Sequence, residues 1–112
     1  MGISAQALDS VYGRSAAGVR ARLERAEDSY WCAVAVAETD GDGCITEWWG
    51  QKFERGLYRI VFDSDYYFVS LGLSAAYPEI TVIFRLGDET EACQIKVILS
   101  PYSYSTYFGS NN

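Results

Sequence analysis

With 112 residues, 49% of them hydrophobic and 21% charged, the chain (residues 1–112) reads as one globular domain, long enough for a real core and too apolar for intrinsic disorder. A net charge of -6, from 9 basic and 15 acidic residues, argues against nucleic acid and anionic membrane as partners, since both need clustered positive charge. There is no histidine, so the commonest general base near neutral pH and the commonest metal ligand are both missing.

In chain order, "MGISAQALDS" has neither the basic nor the long apolar stretch of a secretory signal. Nothing downstream approaches about 18 consecutive apolar residues, so no membrane span is expected and the cytoplasm is the expected compartment. Period-two alternation predicts strands over 3–9, 18–25, 29–39, 44–49, 56–63, 79–86, 91–100 and 102–108. Turn signals such as "TDGDG", "LGDET" and "SP" separate them. "TDGDG" lacks the spacing and final Glu of a calcium hand, so it reads as a turn. Only 65–78 has room for a short helix, which Pro78 would end. The cysteines, Cys32, Cys44 and Cys93, are too few and scattered for a disulfide framework or a zinc site, and fit a reducing compartment. Neither a metal nor a cofactor is implied. Many short strands at this spacing predict an all-β antiparallel sandwich or barrel.

Alternation also assigns faces. In "QIKVILS", Ile95, Val97 and Leu99 share the core face with Cys93, while Gln94, Lys96 and Ile98 share the other. In "ISAQALD", Ile3, Ala5 and Ala7 oppose Ser4, Gln6 and Leu8. In "YSYSTYF", Tyr102, Tyr104, Thr106 and Phe108 oppose Ser103, Ser105 and Tyr107. The second faces are mixed polar and apolar, as a solvent face would be.

The stretches "ISAQALD", "AAGVRARLER", "TDGDG", "FERGLYRIVFD", "YPEITVIF" and above all "ILSPYSYSTYFGS" resemble the transthyretin-like proteins, from about residue 3 to residue 110. That family includes the hormone carrier transthyretin and the 5-hydroxyisourate hydrolases. The resemblance implies a transthyretin-like (prealbumin-like) sandwich of two four-stranded antiparallel sheets with one short helix. It also implies a homotetramer, a dimer of dimers, whose central channel takes a small-molecule ligand or substrate. The last strand would turn Ser105 and Tyr107 into that channel, and its aromatic residues would be covered by assembly.

The resemblance also shows what has been replaced. Where the hydrolases carry a His in a pattern like S-T-H-V-L-D, this chain has "SAQALD", with Gln6. Where an Arg follows D-G, it has Cys44; where a second His precedes the S-P of the last turn, it has Gln94 in "QIKVILSP". The ending Y-R-G-S becomes "YFGS", with Phe108 for Arg. Gln cannot exchange a proton near neutral pH, and neither Cys nor Phe can pair with an anion as Arg does. Ordinary 5-hydroxyisourate hydrolysis is therefore not expected.

The remaining candidates for chemistry are Lys96, Gln94, Gln6 and Tyr107, with Leu8, Cys44, Ile98, Ser105, Phe108 and Ser110 as ligand contacts. Lys96 stands where the hydrolases carry Pro. It acts as a base or amine nucleophile if its surroundings are dry, or it snorkels to water at the channel mouth. Cys44 is a nucleophile or a small filler, and the Gln pair orients a ligand or bridges subunits. Trp48 and Trp49, as neighbours in a strand, would point to opposite faces. Two readings stay open: a repurposed enzyme that cyclises or rearranges a biosynthetic intermediate, and a non-catalytic binder using the same channel.

Overall fold

A computed structural model of the chain describes residues 2–46, 48, 53–87 and 92–111, with side chains through residue 108. Alternation in the sequence reappears as alternation in burial. In β1 (Gly2–Asp9), Ile3, Ala5, Ala7 and Asp9 are buried, and Ser4, Gln6 and Leu8 between them are half-buried. The chain continues through β2 (Arg14–Ser15), β3 (Arg20–Glu27), β4 (Tyr30–Glu38), β5 (Cys44–Ile45) and β6 (Gly56–Phe62). Helix α1 (Ser64–Ser70) follows, then β7 (Ile80–Leu86), β8 (Ala92–Leu99) and β9 (Tyr104–Asn111).

The strands form two sheets. One has the order β4-β3-β6-β7 and is antiparallel throughout. The other has the order β2-β1-β8-β9, with the two-residue β5 also on β1. Here one pair departs from the antiparallel expectation: β1 and β8 run parallel, from Gly2 opposite Ala92 to Asp9 opposite Leu99. No hairpin joins them, so nothing forces the antiparallel sense; the connection runs through the whole of the other sheet. The core between the sheets sets Ile3, Ile95, Val97 and Leu99 against Leu23, Ile60, Phe62 and Ile80, all at most 3% exposed.

Three sequence expectations need correction. The helix starts at the Asp63 cap, whose carboxylate accepts from the Tyr66 N–H at 3.1 Å, and it ends well before Pro78. Gly72, at φ +76°, ends it: the Gly72 N–H donates to Val69 O and the Leu73 N–H to Phe68 O, each at 2.9 Å. Expected over 44–49, the strand is described only at Cys44–Ile45; Trp48 lies beyond it and is buried in the core, and Trp49 lies outside the described residues. The last strand begins at Tyr104, because Pro101 and Tyr102 are spent on the bend closed by Ser100 N–H to Ser103 O at 3.0 Å. Among the described residues, no helix is long and apolar enough to cross a membrane.

Candidate functional site

Register turns the outer face of the β1–β8–β9 sheet into rows of side chains. One row runs Cys44, Gln6, Lys96, Tyr107 across β5, β1, β8 and β9. The next runs Ser15, Leu8, Ile98, Ser105, and on the other side Ser4, Gln94 and Gly109 align. Neighbouring strands are about 4.8 Å apart, so an amide, an ammonium and a phenol stand within about 10 Å of one another along the first row. Between the first two rows a hollow of about 110 Å³ is lined by Leu8, Lys96, Ile98, Ser105, Thr106 and Tyr107. Its walls are apolar at Leu8 and Ile98, while Lys96 and Tyr107 supply donors.

A larger groove of about 550 Å³ lies on the outside of the other sheet, between Arg20, Arg22, Val36, Glu38, Val61 and Asp63. Its cations are already engaged: Arg20 with Glu38 at 3.9 Å, and Arg22 with Glu24 at 3.5 Å and Glu79 at 3.2 Å. Exposed, mutually paired charges describe a solvated surface, so the smaller hollow is the better candidate.

The β5 end of the first row is built by local backbone chemistry. Asp40 accepts from the Asp42 and Cys44 N–H groups, both at 2.9 Å, which folds "TDGDG" into the turn its sequence predicts. Gly43 then passes close to β1 at φ +75°, and its carbonyl accepts from the Ala7 N–H at 2.8 Å. A Cβ at Gly43 would lie 2.4 Å from Ala7 O, so only glycine lets the loop lay Cys44 beside Gln6. Burial first, then the negative charges of Asp40 and Asp42, push the Cys44 thiol up; Lys96 acts in the opposite sense. A thiol pushed up in this way disfavours the thiolate, which supports the filler role over the nucleophile.

Phe108 does not join this face. It registers with Ile95 of the core, and its ring sits 6.1 Å from that of Phe84 in the opposite sheet. The parity of the last strand predicts this; its place among the ligand contacts, which came from the resemblance, is corrected. Ser110 registers with Cys93, and its side chain lies outside the described residues. Gln94 is on the candidate face, one row from Lys96. No group of three His, Cys, Asp or Glu side chains among the described residues is placed to hold a metal.

Two polar residues that sequence reasoning passed over anchor the end of the site. Asp9 is 1% exposed; its Oδ2 accepts from the Tyr67 hydroxyl at 2.6 Å, and its Oδ1 from the Val11 and Tyr12 N–H groups. This pins α1 to the end of β1, one residue past Leu8. Alternation held the signal, since Asp9 shares the core-facing parity of Ile3, Ala5 and Ala7. Buried Thr39 accepts from the Val19 N–H at 2.8 Å and donates to Ala16 O at 2.7 Å, holding the entry to the β5 loop.

The comparisons with known proteins agree with this architecture. A family model described as "HIUase/Transthyretin family" matches residues 3–109. The chain belongs to the HIUase/transthyretin family. Among relatives, a Salmonella typhimurium protein named 5-hydroxyisourate hydrolase is 38% identical, over 96% of this chain and 80% of its own. A mouse protein of the same name is 32% identical, over 96% of this chain and 94% of its own. The crystal structure of sea bream transthyretin in complex with thyroxine superposes with a TM-score of 0.92 at 27% identity, covering 99% of this chain and 97% of that one. Within the HIUase/transthyretin family, then, this chain keeps the two-sheet sandwich with its one short helix.

Proposed function

We propose that this family member takes a small organic molecule on the outer face of β1–β8–β9, inside a homotetrameric channel, and acts on it as a repurposed enzyme. The reaction best suited to the groups present is a cyclisation or rearrangement of a cytoplasmic biosynthetic intermediate, driven by orientation and hydrogen bonding. The carrying observation is the row Cys44–Gln6–Lys96–Tyr107: four strands present hydrogen-bonding side chains in register, in a chain that contains no histidine. Exposure around the hollow supports the channel, since Ile98 is 42% and Tyr107 65% exposed in the single chain. Assembly over this face would cover both.

Lys96, with Tyr107 and the two Gln as hydrogen-bonding partners, carries the chemistry in this reading. Freshly prepared 5-hydroxyisourate should decay at the buffer rate in the presence of the protein. Clear acceleration would refute the departure from the hydrolase reaction that the relatives' names carry. A second reading, a non-catalytic carrier, is favoured by the likeness to a transthyretin solved with thyroxine bound. With a ligand identified, Lys96→Met separates the two. In the enzyme, turnover falls by about two orders of magnitude while binding survives; in the carrier only affinity changes.

A further inference from the structure

We propose that the open edge of β4, in the sheet away from the candidate site, docks an extended segment of a partner protein, apolar in its middle and basic at both ends, as one further strand. Among the described residues β4 pairs with β3 alone, so the backbone groups along its other side have no strand to meet. From Tyr30 to Ala37 it reads "YWCAVAVA", without a charge, a Pro or a Gly. Such a run belongs under cover. Yet Tyr30 is 61% exposed, and Val36, at 79%, is the most exposed large hydrophobic side chain among the described residues. Cys32 and Ala33 are exposed as well. The opposite edge of the same sheet, β7, differs: it carries the exposed Arg85, and a charge on an edge blunts it against pairing.

Charge selects the occupant. Acids close both ends of the run: Glu27 and Asp28 before it, and Glu38, Asp40 and Asp42 after it, all exposed. Arg25 meets Glu27 at 3.6 Å and Arg20 meets Glu38 at 3.9 Å. Asp28 and Asp42 make no ion pair among the described residues. A second β4 laid antiparallel would set acids against acids at both ends, and its bulge at Val34, left over where Leu23 faces Ala35 and Glu24 faces Ala33, would spoil the fit of two rigid edges. A free segment follows the twist and, with Lys or Arg at each end, meets the acids. These ends lie roughly 30 Å apart, the reach of about nine extended residues. Backbone hydrogen bonds supply affinity in strand addition, and pockets for alternate side chains supply selectivity. Val36 helps wall the groove of about 550 Å³, whose floor includes Val61, so a side chain passing over Val36 has an apolar place to rest.

Two capped peptides of about nine residues test this, the reach of the edge. Both alternate Val and Thr; one ends in Lys on each side, the other in Glu. Each is titrated calorimetrically into the native protein at low salt, with backbone amide exchange followed by NMR. The Lys-ended peptide should slow exchange within Tyr30–Glu38 and bind about ten-fold more tightly than the Glu-ended one. That preference should shrink to within about two-fold at about 0.5 M salt. Val36→Lys puts a cation on the edge at an exposed position and should weaken the Lys-ended peptide about ten-fold; Val36→Thr should hold it within about two-fold. Equal affinities for the two peptides, binding indifferent to Val36→Lys, or protection that falls on β7 or β9 would each overturn the proposal. So would the absence of any β4 protection at millimolar peptide. Concentration-dependent protection of β4 in the protein alone would also overturn it, assigning the edge to a second copy of the chain.

Discussion

Replacing Tyr67 by Phe removes one oxygen from the interior and leaves the Asp9 carboxylate short of a donor. Asp9 is 1% exposed, and among the described residues the Tyr67 hydroxyl, at 2.6 Å, is the donor to its Oδ2. A hydrogen bond to a charged group contributes about 1.5–3 kcal/mol, and stranding a buried acceptor adds a desolvation cost. Arg14, the register neighbour of Asp9, softens the loss, so a fall of about 2 kcal/mol is expected at neutral pH. The same pair predicts an alkaline arm. Burial first, then the hydrogen bond and charge of Asp9, push the Tyr67 hydroxyl up to about 12. Its folded value thus exceeds an unfolded one of about 10, so the folded state holds the proton longer. That contribution is intact below about pH 10 and lost as pH rises through about 12, at about 1.4 kcal/mol per unit. Urea melts at fixed protomer concentration, from neutral pH into the alkaline range, measure both effects. Tyr67→Phe should lower stability at neutral pH and flatten the alkaline decline. Burial also raises Tyr58, and Cys93 to about 11, so some decline remains. A neutral-pH loss under roughly 0.5 kcal/mol, or an unchanged alkaline slope, would show that the pair does not anchor β1 to α1.

Gly43→Ala should cost about 2–4 kcal/mol and release β5, because its Cβ meets Ala7 O at 2.4 Å; Gly13→Ala, also at positive φ but in open space, should cost about 1 kcal/mol. Comparable denaturant midpoints for the two variants would remove the argument that Gly43 positions Cys44. Under native conditions a thiol reagent should label exposed Cys32 first and Cys44 more slowly, with Cys93 reacting only on unfolding. Faster labelling of Cys44 than of Cys32 would mean its thiolate is stabilised after all. Light scattering at micromolar concentration should report about four times the 12.5 kDa chain, and a stable monomer would remove the proposed channel.

Strands and faces were legible because period two survives in nearly every segment of this chain. Ile3, Ala5 and Ala7 against Ser4, Gln6 and Leu8 is a pattern that only a half-buried strand explains. Alternation carries no information on strand direction, so the parallel union of β1 with β8 could not be read from it. The end of the helix was misplaced because Pro78 is a louder breaker than Gly72, yet a left-handed glycine cap acts sooner. Phe108 shows the risk of carrying a role across by motif: its position in "YFGS" matched an Arg, while its parity already pointed inward. Parity alone marks Asp9 as core-facing, but its partner cannot be named from the sequence, because Tyr67 lies 58 residues away.

The parallel contact between β1 and β8 bears on how the molecule comes into being. Residues 2–9 must find residues 92–99 across the whole span of the other sheet. Closing a loop of that length sacrifices chain entropy before any contact repays it, and topologies dominated by distant partners fold slowly. The row from Gln6 to Lys96 exists only once that distant pairing has closed. Until then the apolar face of β1 has no partner in its own sheet except the short β2 and β5. A nascent or heat-stressed chain would be open to mispairing at that strand, and a ligand bridging β1 and β8 would act as a clasp on a long-range seam of the fold.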